Sequence, residues 1–146
     1  MTIEDRVLAE ARRWIGTPYR HQGHTRGVGC DCLGFVRGVW AGIYASEAER
    51  PPAYAMDWAV NARDDLMTAA AVRNLNEIAL ADAGPGNLVL FAWKPGYPAC
   101  HAGILFPDRR FVHAYERAGV VCSPLVLHWR RRITAAFAFP DRPETC

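Results

Sequence analysis

The chain has 146 residues, enough for one domain with a real hydrophobic core, and a single domain over residues 1–146 is expected. Hydrophobic residues are 51% and charged residues 22%, which excludes a disordered chain, and a net charge of +2 is too small to argue for direct nucleic-acid binding. No apolar stretch approaches the roughly 18 residues of a membrane span, so no membrane partner is expected.

The opening run Met1-Thr2-Ile3-Glu4-Asp5-Arg6 is acidic and lacks the apolar core of a signal peptide. A soluble protein made in the cytoplasm, without a cleaved export signal, is the expectation. Thr2 can cap a first helix, with Asp5 three residues on and Glu4 in the first turn. Val7, Leu8, Ala11, Trp14 and Ile15 recur at helical spacing, and Gly16 and Pro18 end the run. Tyr19 to Gly29 reads as a loop. A second helix is expected from about Cys32 to Tyr44, with Cys32, Val36, Val39 and Ile43 on one face. Gly34, Gly38 and Gly42 repeat every four residues on another face. Three helical glycines cost roughly 1 kcal/mol each against alanine, so close approach of that face to a neighbouring sheet is expected.

Pro51-Pro52 breaks the chain, and a solvent-facing third helix is expected near Val60 to Asn74. Ala83-Gly84-Pro85-Gly86 reads as a turn, after which the period changes to two. Leu88 to Trp93, His101 to Phe106, Phe111 to Tyr115, Gly119 to Cys122 and Ala135 to Phe139 read as short strands. Helices followed by a run of adjacent strands indicate an α+β fold with an antiparallel sheet.

The five cysteines, Cys30, Cys32, Cys100, Cys122 and Cys146, are odd in number and irregularly spaced, which does not suit a disulfide framework. Reduced synthesis in a cytoplasm is the simpler reading. Cys32 stands at a turn-to-helix junction, with His101 and His113 on later strands. This is the arrangement a thiol hydrolase needs: the thiolate is the nucleophile, and a helix N-terminus favours negative charge. A free thiol is mostly protonated at neutral pH, so it needs an imidazole or a helix dipole nearby. The imidazole needs a partner on its second nitrogen to fix tautomer and orientation.

Five stretches stand in order along nearly the whole chain: Gly16-Thr17-Pro18-Tyr19, Asp31-Cys32-Leu33-Gly34, Gly86-Asn87-Leu88-Val89-Leu90-Phe91, His101-Ala102-Gly103-Ile104 and Val112-His113-Ala114. Together they resemble the NlpC/P60 family of papain-like cysteine peptidases that cut cell-wall peptides. The fuller run from Gly29 to Trp40 resembles the branch found in phage tails and gene-transfer particles. The resemblance implies a papain-like NlpC/P60 fold, with the nucleophile at a helix N-terminus packed on an antiparallel sheet that carries the histidines. It implies Cys32 as nucleophile, His101 as general base and His113 as the residue orienting His101. Its Asp-Cys-x-Gly frame selects Cys32 over Cys30. Tyr19 would donate toward the developing oxyanion, and Asp31 would meet the free amine of a peptide stem.

The implied substrate is the peptidoglycan stem peptide, cut between γ-D-glutamyl and a diamino acid, with no cofactor and no metal. The phage branch implies a tail hub or baseplate protein as partner. Action would lie outside the cytoplasm or in the periplasm, on a particle tail that opens the wall for DNA entry. Two positions depart from the family pattern. Leu33 replaces the usual serine after the nucleophile, which can help bind a substrate amine, and Asn87 replaces the aspartate of the Gly-Asp strand motif.

Strand parity constrains the histidines. They share a face only if residues paired across the hairpin have an even sum; pairing Gly103 with His113 does this and leaves a five-residue loop from Phe106 to Arg110. His101 then lies diagonal to His113, at roughly 7–8 Å between backbones, within side-chain reach.

Other readings stand beside these. Asp31 also suits a plain N-cap, and Tyr19 a half-buried aromatic. Cys100 reads as packing, His128 as structural, and His21 and His24 as loop residues at the cleft rim. Arg109-Arg110 and Arg130-Arg131-Arg132 read as a solvated face or strand edge, or as a surface for anionic wall polymers or a particle partner. The alternative functions are a thiol amidase or acyltransferase on the same fold, a zinc module of Cys30, Cys32, Cys100 and His101, and a non-catalytic structural tail protein.

Overall fold

The computed structural model describes residues 1–51 and 64–141. Helix α1 is Ile3–Trp14. Thr2 Oγ1 accepts from the Asp5 N–H at 3.1 Å, and the Asp5 carboxylate accepts from the Thr2 N–H at 3.1 Å, a reciprocal cap that satisfies two otherwise orphaned donors. Ile3, Val7, Ala11 and Trp14 form the buried stripe. The segment expected as a loop contains a small antiparallel ladder, β1 (His24–Thr25) with β2 (Gly29–Cys30). Two-residue strands are too short to leave a period in the sequence.

Helix α2 is Cys32–Tyr44, as its spacing predicts. It ends where Ala45 turns left-handed at φ 56°. Phe35, Val39, Trp40 and Ile43 enter the main core beside the sheet residues Leu90, Ile104 and Val112. The glycine face does not meet the sheet, contrary to expectation. A methyl group at Gly38 would overlap the Trp14 ring, one at Gly42 the Glu10 side chain, and one at Gly34 the Gly23 carbonyl oxygen. The sheet side of α2 carries large side chains that fill the core. The small residues let α1 and the turn before β1 come close.

Helix α3, Leu66–Asn74, is capped by Asp65, whose Oδ1 accepts from the Thr68 N–H at 3.0 Å. Its expected start at Val60 lies outside the described residues. It is not simply solvent-facing: Met67 and Ala71 are buried in the main core. The strands are β3 (Asn76–Ile78), β4 (Leu88–Ala92), β5 (Ala99–Phe106), β6 (Arg110–Tyr115), β7 (Gly119–Pro124) and β8 (Ile133–Ala138), with a short helix α4, Leu127–Arg130, between the last two. They form one antiparallel sheet in the order β3-β8-β4-β5-β6-β7. β3 has no apolar period and was not expected. One face of the sheet joins the helices in the main core through Leu88, Leu90, Ile104, Val112 and Phe137. The other face packs Val89, Phe91, Leu105, Phe111 and Ala136 with Trp129 of α4.

The β5–β6 hairpin pairs Phe106 with Arg110, Leu105 with Phe111 and Ile104 with Val112, the even-sum register expected. The loop is three residues, Pro107 to Arg109, rather than five, because Phe106 and Arg110 pair. Positive φ at Asp108 (64°) and Arg109 (56°) makes the tighter reversal. The ladder stops at Ile104 and Val112 although both strands continue, β5 back to Ala99 and β6 on to Tyr115.

Candidate active site

Asp31 sets the start of α2. It is buried, its Oδ1 accepts from the Gly34 N–H at 2.8 Å, and its Oδ2 accepts from the Gln22 N–H at 2.8 Å. One carboxylate therefore caps the helix and fastens the preceding turn to it. His21 Nδ1 lies 4.0 Å from the same carboxylate. The next residue, Cys32, is the first of the helix and half-buried. Its sulfur accepts from the backbone N–H groups of Ala102 and Leu33. The Ala102 contact falls where the β5–β6 ladder has ended, so the helix start meets β5 beside His101. Cys30, by contrast, is fully buried on β2.

His101 and His113 share the face predicted for them. His101 Nε2 is 2.8 Å from His113 Nδ1, and the hydrogen bond spans the gap beyond the ladder. His113 is 1% exposed, and its Nε2 is 2.9 Å from Ser123 Oγ on β7. Sequence reasoning missed Ser123. The only signal for it was parity: once His113 pairs with Val121 and Phe111 with Ser123, that serine lies diagonal to His113 on the same face. Trp129 covers the pair, its ring 5.5 Å from that of His101 and 5.1 Å from that of His113. Phe91 and Phe111 complete the apolar surround, Phe111 stacked on His113 at 4.1 Å.

This burial governs the electrostatics. It pushes the Cys32 thiol up, with the Asp31 carboxylate adding to the rise, while the Ala102 and Leu33 N–H groups pull back. It pushes His101 down to about 4. It pushes His113 down to about 3, with the His101 charge adding to the fall. Tyr19, half-buried and bridged to Cys30 through its backbone, has its phenol pushed up by burial and then by the negative charge of Cys32 and Asp31. It keeps its proton.

Cys32, His101, His113, Tyr19 and Asp31 thus gather around one end of α2. Leu33 turns instead toward an apolar cavity of about 440 Å³ lined also by Val36, Trp40, Met67, Leu90 and Ala102. Asn87 is buried and its Oδ1 accepts from the Gly84 N–H at 2.9 Å, so the amide holds the turn before β4. His24 is exposed on β1, and His128 is exposed in α4, bonded to Arg132. Cys100 is half-buried on β5. Among the described residues no group of three or more His, Cys, Asp or Glu is placed to hold a metal ion. Cys30 lies inside the core and the His101 ring points to His113.

Comparison with known proteins matches residues 16–137 to the NlpC/P60 family. The murein DD-endopeptidase MepS/murein LD-carboxypeptidase of Escherichia coli K12 is 27% identical over 135 residues, covering 92% of this chain and 62% of that protein. The gamma-DL-glutamyl hydrolase of Bacillus subtilis 168 is 30% identical over 146 residues, covering 96% of this chain and 30% of that protein. The chain therefore spans less than two thirds of these relatives' length. The NlpC/p60 domain of the peptidoglycan hydrolase SagA superposes with a TM-score of 0.67 at 22% identity, covering 93% of this chain and 98% of that one, and shares its fold.

Proposed function

The chain belongs to the NlpC/P60 family, and from that premise we propose that it is a cysteine peptidase that hydrolyses peptidoglycan stem peptides, with residues 1–146 acting as one catalytic domain. The observation that carries the reading is the meeting of the Cys32 sulfur with the Ala102 N–H, one residue from a base whose far nitrogen is held by His113. Because His101 Nε2 is engaged, Nδ1 is the nitrogen left to take the thiol proton. The thiolate then attacks the scissile carbonyl, and the Tyr19 hydroxyl donates to the oxyanion. Collapse expels the amine, which takes the proton from His101, and leaves an acyl-enzyme on Cys32. His101 next removes a proton from water, the hydroxide attacks the thioester, and the thiol is restored as the acid leaves.

The family resemblance and the name of the B. subtilis relative support a γ-D-glutamyl–diamino acid bond as the target. Asp31 is the acceptor for a substrate amine. The test is digestion of purified peptidoglycan with mass spectrometry of the fragments. Free γ-D-glutamyl ends are expected from the wild type, and none from Cys32→Ala, which keeps the wild-type circular dichroism. Activity retained in Cys32→Ala but lost in Cys30→Ala would overturn the assignment.

The run from Gly29 to Trp40 supports a setting in a phage-like tail tip, docked on a tail hub or baseplate protein and acting outside the cytoplasm. Mass spectrometry of purified particles should find this chain. Its absence from particles, with free protein in the medium of unlysed cells, would refute that setting.

A further inference from the structure

The hydrogen bonds behind His101 form a line whose direction matters. For Nδ1 to accept a proton, the hydrogen of neutral His101 must sit on Nε2. That Nε2–H points at His113 Nδ1, 2.8 Å away, so Nδ1 of His113 must be bare and its hydrogen must sit on Nε2. His113 Nε2 in turn faces Ser123 Oγ at 2.9 Å. Phe111 and Trp129 close over the ring, and the residue is 1% exposed. Without an oxygen at position 123 this Nε2–H would be a buried donor with nothing to donate to, a costly state.

The pair would then relax to the opposite arrangement. His113 would carry its hydrogen on Nδ1 and donate to His101 Nε2, and the hydrogen of His101 would move to Nδ1. A base with its working nitrogen already protonated cannot take the thiol proton.

We propose that Ser123 is a positioning residue: its hydroxyl accepts from His113 Nε2 and so keeps His101 in the tautomer that can act as a base. The serine acts through two imidazoles. This inference rests on the reading of Cys32 and His101 as nucleophile and base.

The experiment uses the whole chain with 15N-labelled histidine. Long-range proton–nitrogen correlation at neutral pH reads which nitrogen of each ring carries the hydrogen, in wild type, Ser123→Ala and Ser123→Thr. The wild type and Ser123→Thr should hold His101 and His113 as Nε2–H. Ser123→Ala should shift both toward Nδ1–H, and kcat on stem peptides should fall about 10- to 100-fold with little change in KM. Recovery of kcat in Ser123→Thr, which keeps the hydroxyl while adding a methyl group, separates positioning from packing. Unchanged tautomers in Ser123→Ala overturn the proposal whatever happens to activity. A tautomer shift with no loss of kcat overturns it equally. If wild type and Cys32→Ala hydrolyse alike, the reading of the active site fails instead, and the tautomer spectra distinguish that outcome.

Discussion

Cys32 and His101 are each driven toward their neutral forms by burial, the thiol upward and the imidazole downward to about 4. The Ala102 and Leu33 N–H groups and the start of α2 favour a thiolate, but in the free protein they are outweighed by loss of water. Burial thus favours a neutral thiol and a neutral imidazole at rest, and in the proposed mechanism the proton moves as the thiol attacks. Three outcomes follow at this scale. Alkylation of Cys32 by iodoacetamide should climb steadily on the alkaline side, with no plateau in the acid range. His101→Ala should nonetheless lower hydrolysis by about 100-fold or more, since the proposed mechanism gives His101 the proton transfer. His113→Ala should cost less, because it orients the ring without receiving the proton. A reactivity plateau at low pH that vanishes in His101→Ala would indicate a resting ion pair and contradict this account.

The element that fixes Cys32, the proposed nucleophile, is α2, and its closest glycine contact is at Gly34. A methyl group there would overlap the Gly23 carbonyl oxygen, which is backbone and cannot swing aside. Gly34 also donates to Asp31 Oδ1 in the cap. Gly34→Ala should therefore destabilise the protein by about 1–3 kcal/mol, read as a lower denaturation midpoint, despite the better helix propensity of alanine. It should also lower activity by shifting Cys32, whereas Gly84→Ala, with open space around it and no positive φ, should leave the helix start in place. α2 was legible in the sequence because Asp31 caps it and its apolar residues recur at the helical period. The strands from β4 to β8 were legible as short apolar runs after the Ala83–Gly86 turn, although Leu88–Ala92 is buried throughout instead of alternating, because both faces of the sheet are covered. β1, β2 and β3 were not, being two or three residues long and held by neighbours rather than by their own pattern. Parity placed His101 and His113 on one face. Ser123 needed the β6–β7 register, which the turn from Glu116 to Ala118 does not announce, and Trp129 needed α4 to fold back over the sheet.

At the scale of the whole molecule, the site makes the fold sensitive to acid. Two histidines are kept neutral in the folded chain, with values of about 4 for His101 and about 3 for His113, whereas both return to about 6.5 when the chain unfolds. Between those values and 6.5 the unfolded chain binds more protons than the folded one. Stability therefore rises with pH across that window and is lost as pH falls from about 6.5 through about 4. Protonation of either ring in the folded chain is opposed by burial, so the pair adds to the acid sensitivity of the domain. Thermal unfolding followed from pH 7 to pH 4 should show Tm falling steeply in the wild type. The double variant His101→Gln, His113→Gln lacks both of these imidazoles and should show a flatter decline, even where its Tm at pH 7 is lower. Parallel declines in the two proteins would show that the acid sensitivity resides in the carboxylates, and the neutral, buried state of the histidine pair would have to be abandoned.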